Sequence, residues 1–86
     1  MERENLKRLG DIKAGTKCKI KDINLTKKIK KRLLELGLIP GREIEILQVA
    51  PFNGPVRLKV NDFCLALRKN EANNILVEEC KKQREN

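Results

Sequence analysis

Hydrophobic and polar positions follow two periods along this chain, and the order in which the periods change outlines the fold. Leu6 and Leu9 are the first apolar anchors after a charged start. Lys13-Ala14-Gly15-Thr16 reads as a turn in which Gly15 takes a positive φ. From Thr16 the pattern alternates, with Cys18 and Ile20 on one side and Lys17, Lys19 and Lys21 on the other, as in a half-buried strand. The period then lengthens. Leu25, Ile29, Leu33 and Leu36 form a stripe about one quadrant wide on a helix predicted over about 27–36. Thr26 is placed to cap its start and Gly37 to end it in left-handed geometry. Leu34 projects away from the stripe. Arg32 falls on it, so its stem is expected to pack on the sheet while its guanidinium finds loop carbonyls or a carboxylate.

Past the helix, Ile39-Pro40-Gly41-Arg42 is a type II turn signal, with Pro40 presetting φ and Gly41 supplying a positive one. Ile44 and Ile46 begin a second strand, but Leu47 and Val49 continue it in the opposite phase, so a bulge is expected between them. Pro51-Phe52-Asn53-Gly54-Pro55 is the strongest turn signal in the chain, and it puts Phe52 at an exposed tip. Val56, Leu58 and Val60 alternate in a third strand, Asn61-Asp62 is a two-residue hairpin candidate, and Phe63, Leu65 and Leu67 alternate in a fourth. A single helical turn fits Asn70–Asn74, and Ile75 and Val77 make a closing strand. The expected architecture is mainly β: a small, closed, five-stranded barrel with one inserted helix. Residues 1–5 read as a flexible arm, 6–78 as the domain and 79–86 as a charged tail.

Composition sharpens this picture by exclusion. The 86 residues contain no His, so imidazole catalysis and histidine metal sites are excluded. They also contain no Ser, no Gly-rich phosphate loop and no Cys-x-x-Cys pair, which leaves little chemistry for an enzyme and no thiol metal motif. Three cysteines remain. Cys18 and Cys64 are read as core residues and Cys80 as a tail thiol, with no metal or cofactor expected. Without a leader-like apolar stretch, the protein reads as cytoplasmic. The net charge is +8 and it is uneven: residues 1–43 carry 13 Lys/Arg against 6 Asp/Glu, and residues 44–86 carry 7 against 6. A basic half fits an acidic partner.

The segment Arg32-Leu33-Leu34-Glu35-Leu36-Gly37-Leu38-Ile39-Pro40-Gly41 resembles the helix-and-turn signature of the FeoA family of ferrous iron transport proteins. Ala50-Pro51-Phe52-Asn53-Gly54-Pro55 is similar to that family's hairpin, and Leu65-Ala66-Leu67-Arg68, Glu71-Ala72 and Ile75-Leu76-Val77 are similar to its closing segment. On that resemblance Arg32, Gly37, Pro40, Gly41, Pro51, Gly54 and Pro55 are the structural motif. The resemblance implies an SH3-like β-barrel and a non-catalytic, cytoplasmic role in bacterial ferrous iron uptake. The implied partner is FeoB, a membrane permease with a GTP-binding domain, so contact with the membrane is indirect. A second reading is a regulatory or nucleic-acid-binding module related to the C-terminal domain of iron-dependent repressors.

Lys27, Lys28, Lys30, Lys31 and Arg32 are the densest charge cluster, either a solvated face or a docking surface for an acidic patch. Leu34 among them resembles a contact hot spot, and Phe52 is its counterpart at the hairpin tip. Lys27, Lys30, Lys31, Leu34 and Phe52 are therefore the candidate partner-binding residues. The aromatic residues that specific nucleic-acid recognition uses are nearly absent, and barrel edges leave room for a homodimer.

Overall fold

The computed structural model describes residues 6–80. The expected arm (1–5) and all but the first two residues of the expected tail lie outside that range. In chain order the elements are β1 (Leu6–Arg8), a 3₁₀ turn (Leu9–Asp11), β2 (Lys17–Ile23), α1 (Lys27–Glu35), β3 (Glu43–Val49), β4 (Val56–Val60), β5 (Phe63–Leu67), α2 (Lys69–Ala72) and β6 (Ile75–Glu79).

The strands form a single six-stranded antiparallel sheet in the order β1-β6-β2-β3-β4-β5. This corrects the expected barrel in two respects. A sixth strand exists, and among the described residues the sheet is not closed: β1 and β5 are its two edges. β1 is a strand only because β6 lies beside it, pairing Lys7 with Val77. Its three residues carry no alternating pattern, and all are exposed. β6 runs through Glu79, one residue past the domain limit read from sequence, and the Cys80 N–H donates to Lys17 O.

One face of the sheet is apolar. Cys18, Ile20 and Ile23 of β2, Ile44 and Ile46 of β3, Val56, Leu58 and Val60 of β4, Leu67 of β5 and Ile75 and Val77 of β6 are all buried in one cluster. Leu9, Ile12, Leu33, Leu38 and Ala72 complete it from outside the sheet. So few covering residues serve so many strands because the sheet bends over its own inner face. Two bulges accompany the bend, between Ile20 and Asp22 against β6 and between Ile46 and Gln48 against β4. The second is the phase shift expected in β3, and it leaves Leu47 exposed.

Cys64 is a correction. It was read as a core thiol, but it points outward from β5 and is exposed. The alternation that sends Leu65 and Leu67 inward sends Cys64 to the opposite face, and in a one-sheet domain that face meets solvent.

Candidate functional site

α1 starts where the sequence predicts and stops one residue sooner. Thr26 has extended backbone and its Oγ1 accepts from Ile29 N–H at 3.4 Å. At the other end Gly37 has φ +103°, Leu38 N–H donates to Leu33 O and Gly37 N–H donates to Leu34 O. These are the paired bonds of a Schellman stop. The stop decides which leucines are inside. Leu36 was placed on the core stripe, yet it is 37% exposed, much like Leu34 at 36%. The chain reverses at Gly37, and Leu38, fully buried, takes the place beside Leu33 that Leu36 would have filled. The helix end is held against the sheet by Gly37, where a Cβ would lie 3.2 Å from Asn61 Nδ2, while Arg42 Nη1 donates to Asn61 Oδ1 at 2.7 Å.

Arg32 also differs from expectation. Its side chain is 64% exposed instead of packed on the sheet, because Ile29, Leu33 and Leu38 already occupy the space beneath the helix. The expected carboxylate partner is present: Glu71 of α2, with Arg32 Nη2 3.9 Å from Glu71 Oε2. Through that pair α1 touches α2. In turn α2 shares a shallow groove of about 490 Å³ with the 51–55 turn, lined by Asn53, Pro55, Arg68, Lys69, Asn70 and Asn73. α1, α2 and the Phe52 turn therefore follow one another across a single region that is rich in cations.

Charge pairing separates the two basic stretches of the sequence. On β2, Lys17 faces Glu45, Lys19 faces both Glu43 and Glu78, and Lys21 Nζ lies 3.4 Å from Glu78 Oε1. Acidic residues on both neighbouring strands thus stand opposite the β2 lysines, and Lys21 is in an ion pair. On α1, none of the ion pairs among the described residues includes Lys27, Lys28, Lys30 or Lys31. The helix has no acidic residue in its first turn, so Lys27 and Lys28 sit unfavourably at the positive end of its dipole.

Phe52 carries the other anomaly. Gly54 N–H donates to Pro51 O at 3.0 Å, and between them Phe52 and Asn53 have φ +57° and +61°, the pattern of a type I′ turn. Asn suits such a position, whereas a non-glycine residue such as Phe is disfavoured there by about 1–2 kcal/mol. Gly54 is required by crowding, since a Cβ there would lie 2.7 Å from that of Ala50. The strained Phe52 is 97% exposed and so gains no burial in return. The exposed tip expected for Phe52 is therefore present, and the strain it carries there is a feature that the sequence pattern did not reveal.

The thiols offer no comparable site. Burial, reinforced by Cys80, Glu79 and Glu43 nearby, pushes the Cys18 thiol up to about 12. Burial, then a hydrogen bond to Glu43 Oε2 at 3.4 Å, also raises Cys80. Both stay protonated at neutral pH and are poor ligands and nucleophiles. Among the described residues no group of three or more Cys, Asp or Glu side chains is placed to hold a metal ion, and no helix is long and apolar enough to cross a membrane.

The chain is similar to known proteins over most of its length. The chain is 32% identical over 71 residues to the Fe(2+) transport protein A/Fe(2+) transporter FeoB fusion protein of Porphyromonas gingivalis, covering 83% of this chain but only 8% of that protein. It is 30% identical over 69 residues to a putative Fe(2+) transport protein A of Campylobacter jejuni, covering 80% of this chain and 93% of that one. Among solved structures, the FeoA protein of Chlorobium tepidum superposes with a TM-score of 0.82 at 28% identity, over 90% of this chain and 73% of that one. A manganese-dependent transcriptional repressor shares the fold alone, with a TM-score of 0.79 at 14% identity over 87% of this chain and 42% of that one. The FeoA domain model matches residues 7–79, which take in both helices and all the described strands except the first residue of β1, and the chain belongs to the FeoA family.

Proposed function

We propose that this protein is a non-catalytic, cytoplasmic accessory subunit of ferrous iron uptake that docks on the cytoplasmic part of a FeoB-type permease through α1 and the 51–55 turn. The observation that carries the reading is the Porphyromonas gingivalis relative, whose name joins transport protein A and FeoB in one fused protein. Fusion keeps two modules at high effective concentration, which is of use where they touch. The surface offered is specific. Lys27, Lys30 and Lys31 steer toward an acidic patch, and Leu34 and Phe52 supply apolar contact within it.

Titrating the permease's purified cytoplasmic part with this protein at low and high salt is the test. The reading expects saturable binding that weakens with salt, with Phe52→Ala slowing neither folding nor encounter but shortening the lifetime of the complex. Absence of saturable binding by folded protein at low salt rejects it. The likeness to the repressor fold and the +8 charge favour a second reading, a nucleic-acid module. Under that reading duplex DNA binds with sequence preference; under the first it is retained weakly, without preference and with a steep salt dependence.

A further inference from the structure

The two edges of the sheet are built differently. β1 is three residues long and two of them are charged, Lys7 paired to Glu79 at 3.1 Å and Arg8 to Asp11 at 3.0 Å. Short length and charge are the usual protections of an edge against another chain. β5, Phe63-Cys64-Leu65-Ala66-Leu67, has no charge, no proline and no bulge. Among the described residues it pairs only with β4. Phe63 is 40% exposed although its cross-strand partner on the same face, Val60, is buried.

Register fixes which backbone groups β5 presents. Val60 and Phe63 close the two-residue turn at Asn61-Asp62, so they form a hydrogen-bonded pair. By alternation Leu58–Leu65 and Val56–Leu67 are the other such pairs. The N–H and C=O of Cys64 and Ala66 therefore point away from β4, toward open space.

We propose that β5 is a homodimer edge, on which a second copy of this chain adds its own β5 antiparallel about a two-fold axis through Leu65. In that register Cys64 faces Ala66 of the second copy and exchanges both backbone bonds with it. The symmetric pair does the same, so every outward N–H and C=O of Cys64 and Ala66 is satisfied. Leu65 meets Leu65, and Phe63 meets Leu67 on the inner face, which covers the exposed part of Phe63. One step beyond each end of the ladder, Asp62 falls opposite Arg68. Both are exposed, and neither takes part in an ion pair among the described residues. The pairing is thus complementary in charge at both ends and neutral in the middle. That matters for a chain of net charge +8, whose copies repel at most approaches. The nearest outward cations on the sheet, Arg57 and Lys59 of β4, fall opposite Lys59 and Arg57 of the second copy, roughly 14 Å away at three strand spacings, beyond the ~8 Å screening length of physiological salt. Self-pairing along β5 uses no residue of α1 or of the 51–55 turn, although Arg68 also lines the groove beside that turn.

The test is the mass of the full chain in solution as a function of concentration. A five-residue edge is at the small end of stable interfaces, so the expected result is a shift from one chain to two between about 1 µM and 1 mM. Ala66→Pro removes an N–H that β4 does not use, so the fold and its melting temperature stay close to wild type while the dimer is lost. Leu65 opposite Leu65 is a non-hydrogen-bonded pair with Cα atoms about 4.5 Å apart, within disulfide range. Leu65→Cys, in a background of Cys64→Ala and Cys80→Ala, is expected to oxidise to a covalent dimer. A chain that stays monomeric to 1 mM, a dimer that survives Ala66→Pro, or failure of Leu65→Cys to cross-link a dimer seen by mass each overturns the proposal.

Discussion

Reversing the charge of Lys27 and Lys28 separates what α1 does for stability from what it does for binding. The two occupy the first helical positions after the Thr26 cap. Lys27 lies three and four residues before Lys30 and Lys31, and Lys28 lies three and four before Lys31 and Arg32. Each like-charge pair at these spacings costs about 0.2–0.5 kcal/mol, and an opposite pair gains as much. Lys27→Glu with Lys28→Glu turns every one of these repulsions into an attraction, in the favourable order with Glu toward the helix start. It also puts negative charge at the positive end of the dipole, for about 0.3–1 kcal/mol per residue at low salt. All these side chains are solvated, so the upper sum is not reached, and a net gain of about 2 kcal/mol is expected. For a domain of this size that raises the melting temperature by roughly 10 °C. Thermal unfolding followed by circular dichroism in 20 mM and 500 mM salt measures it, and most of the gain disappears at the higher salt. The same variant is expected to bind the permease's cytoplasmic part at least tenfold more weakly at low salt. A variant no more stable than wild type in 20 mM salt refutes the electrostatic reasoning. A stabilised variant that binds as tightly as wild type refutes α1 as the docking face.

Two further outcomes rest on packing and on the thiols. A Cβ at Gly10 overlaps Asn73 Oδ1, a buried oxygen with no hydrogen-bond partner, so Gly10→Ala is expected to cost about 1–3 kcal/mol in urea unfolding, and adding Asn73→Ala recovers part of that loss. The Cys18 thiol is held neutral up to about 12, against 9.0 when exposed, so its contribution to stability is complete below pH 9 and is lost as pH rises toward 12. Cys18→Ala is expected to flatten that alkaline decline, and a disulfide reagent at pH 8 modifies Cys64 first and Cys18 only on unfolding.

Much of the fold was legible because local chemistry agreed with the final structure. Thr26 caps α1, Gly37 and Gly41 take their positive φ, and the phase slip after Ile46 is a bulge. β2 and β4 show the alternation read for them. The candidate site was legible as a list of residues, Lys27, Lys30, Lys31, Leu34 and Phe52, but not as a surface. Nothing along the chain says that Glu43, Glu45 and Glu78 come to stand opposite β2's lysines, while among the described residues no carboxylate pairs with Lys27, Lys28, Lys30 or Lys31. The strain at Phe52 is equally hidden, since Pro51-Phe52-Asn53-Gly54 spells a turn without saying which residue bears the positive φ.

The sequence by itself determined the order of elements, the helix with its cap and stop, the turns and the inward residues of the central strands, because periodicity and turn chemistry act over a few neighbouring residues. Only the tertiary structure decided that Leu38 and not Leu36 enters the core, that Arg32 lies in solvent beside Glu71, that Leu6–Arg8 becomes a strand, and that the sheet keeps two open edges. Each of these depends on which distant segment occupies the neighbouring space, and a contact between residues 72 positions apart, such as Lys7 with Glu79, leaves no trace in local pattern.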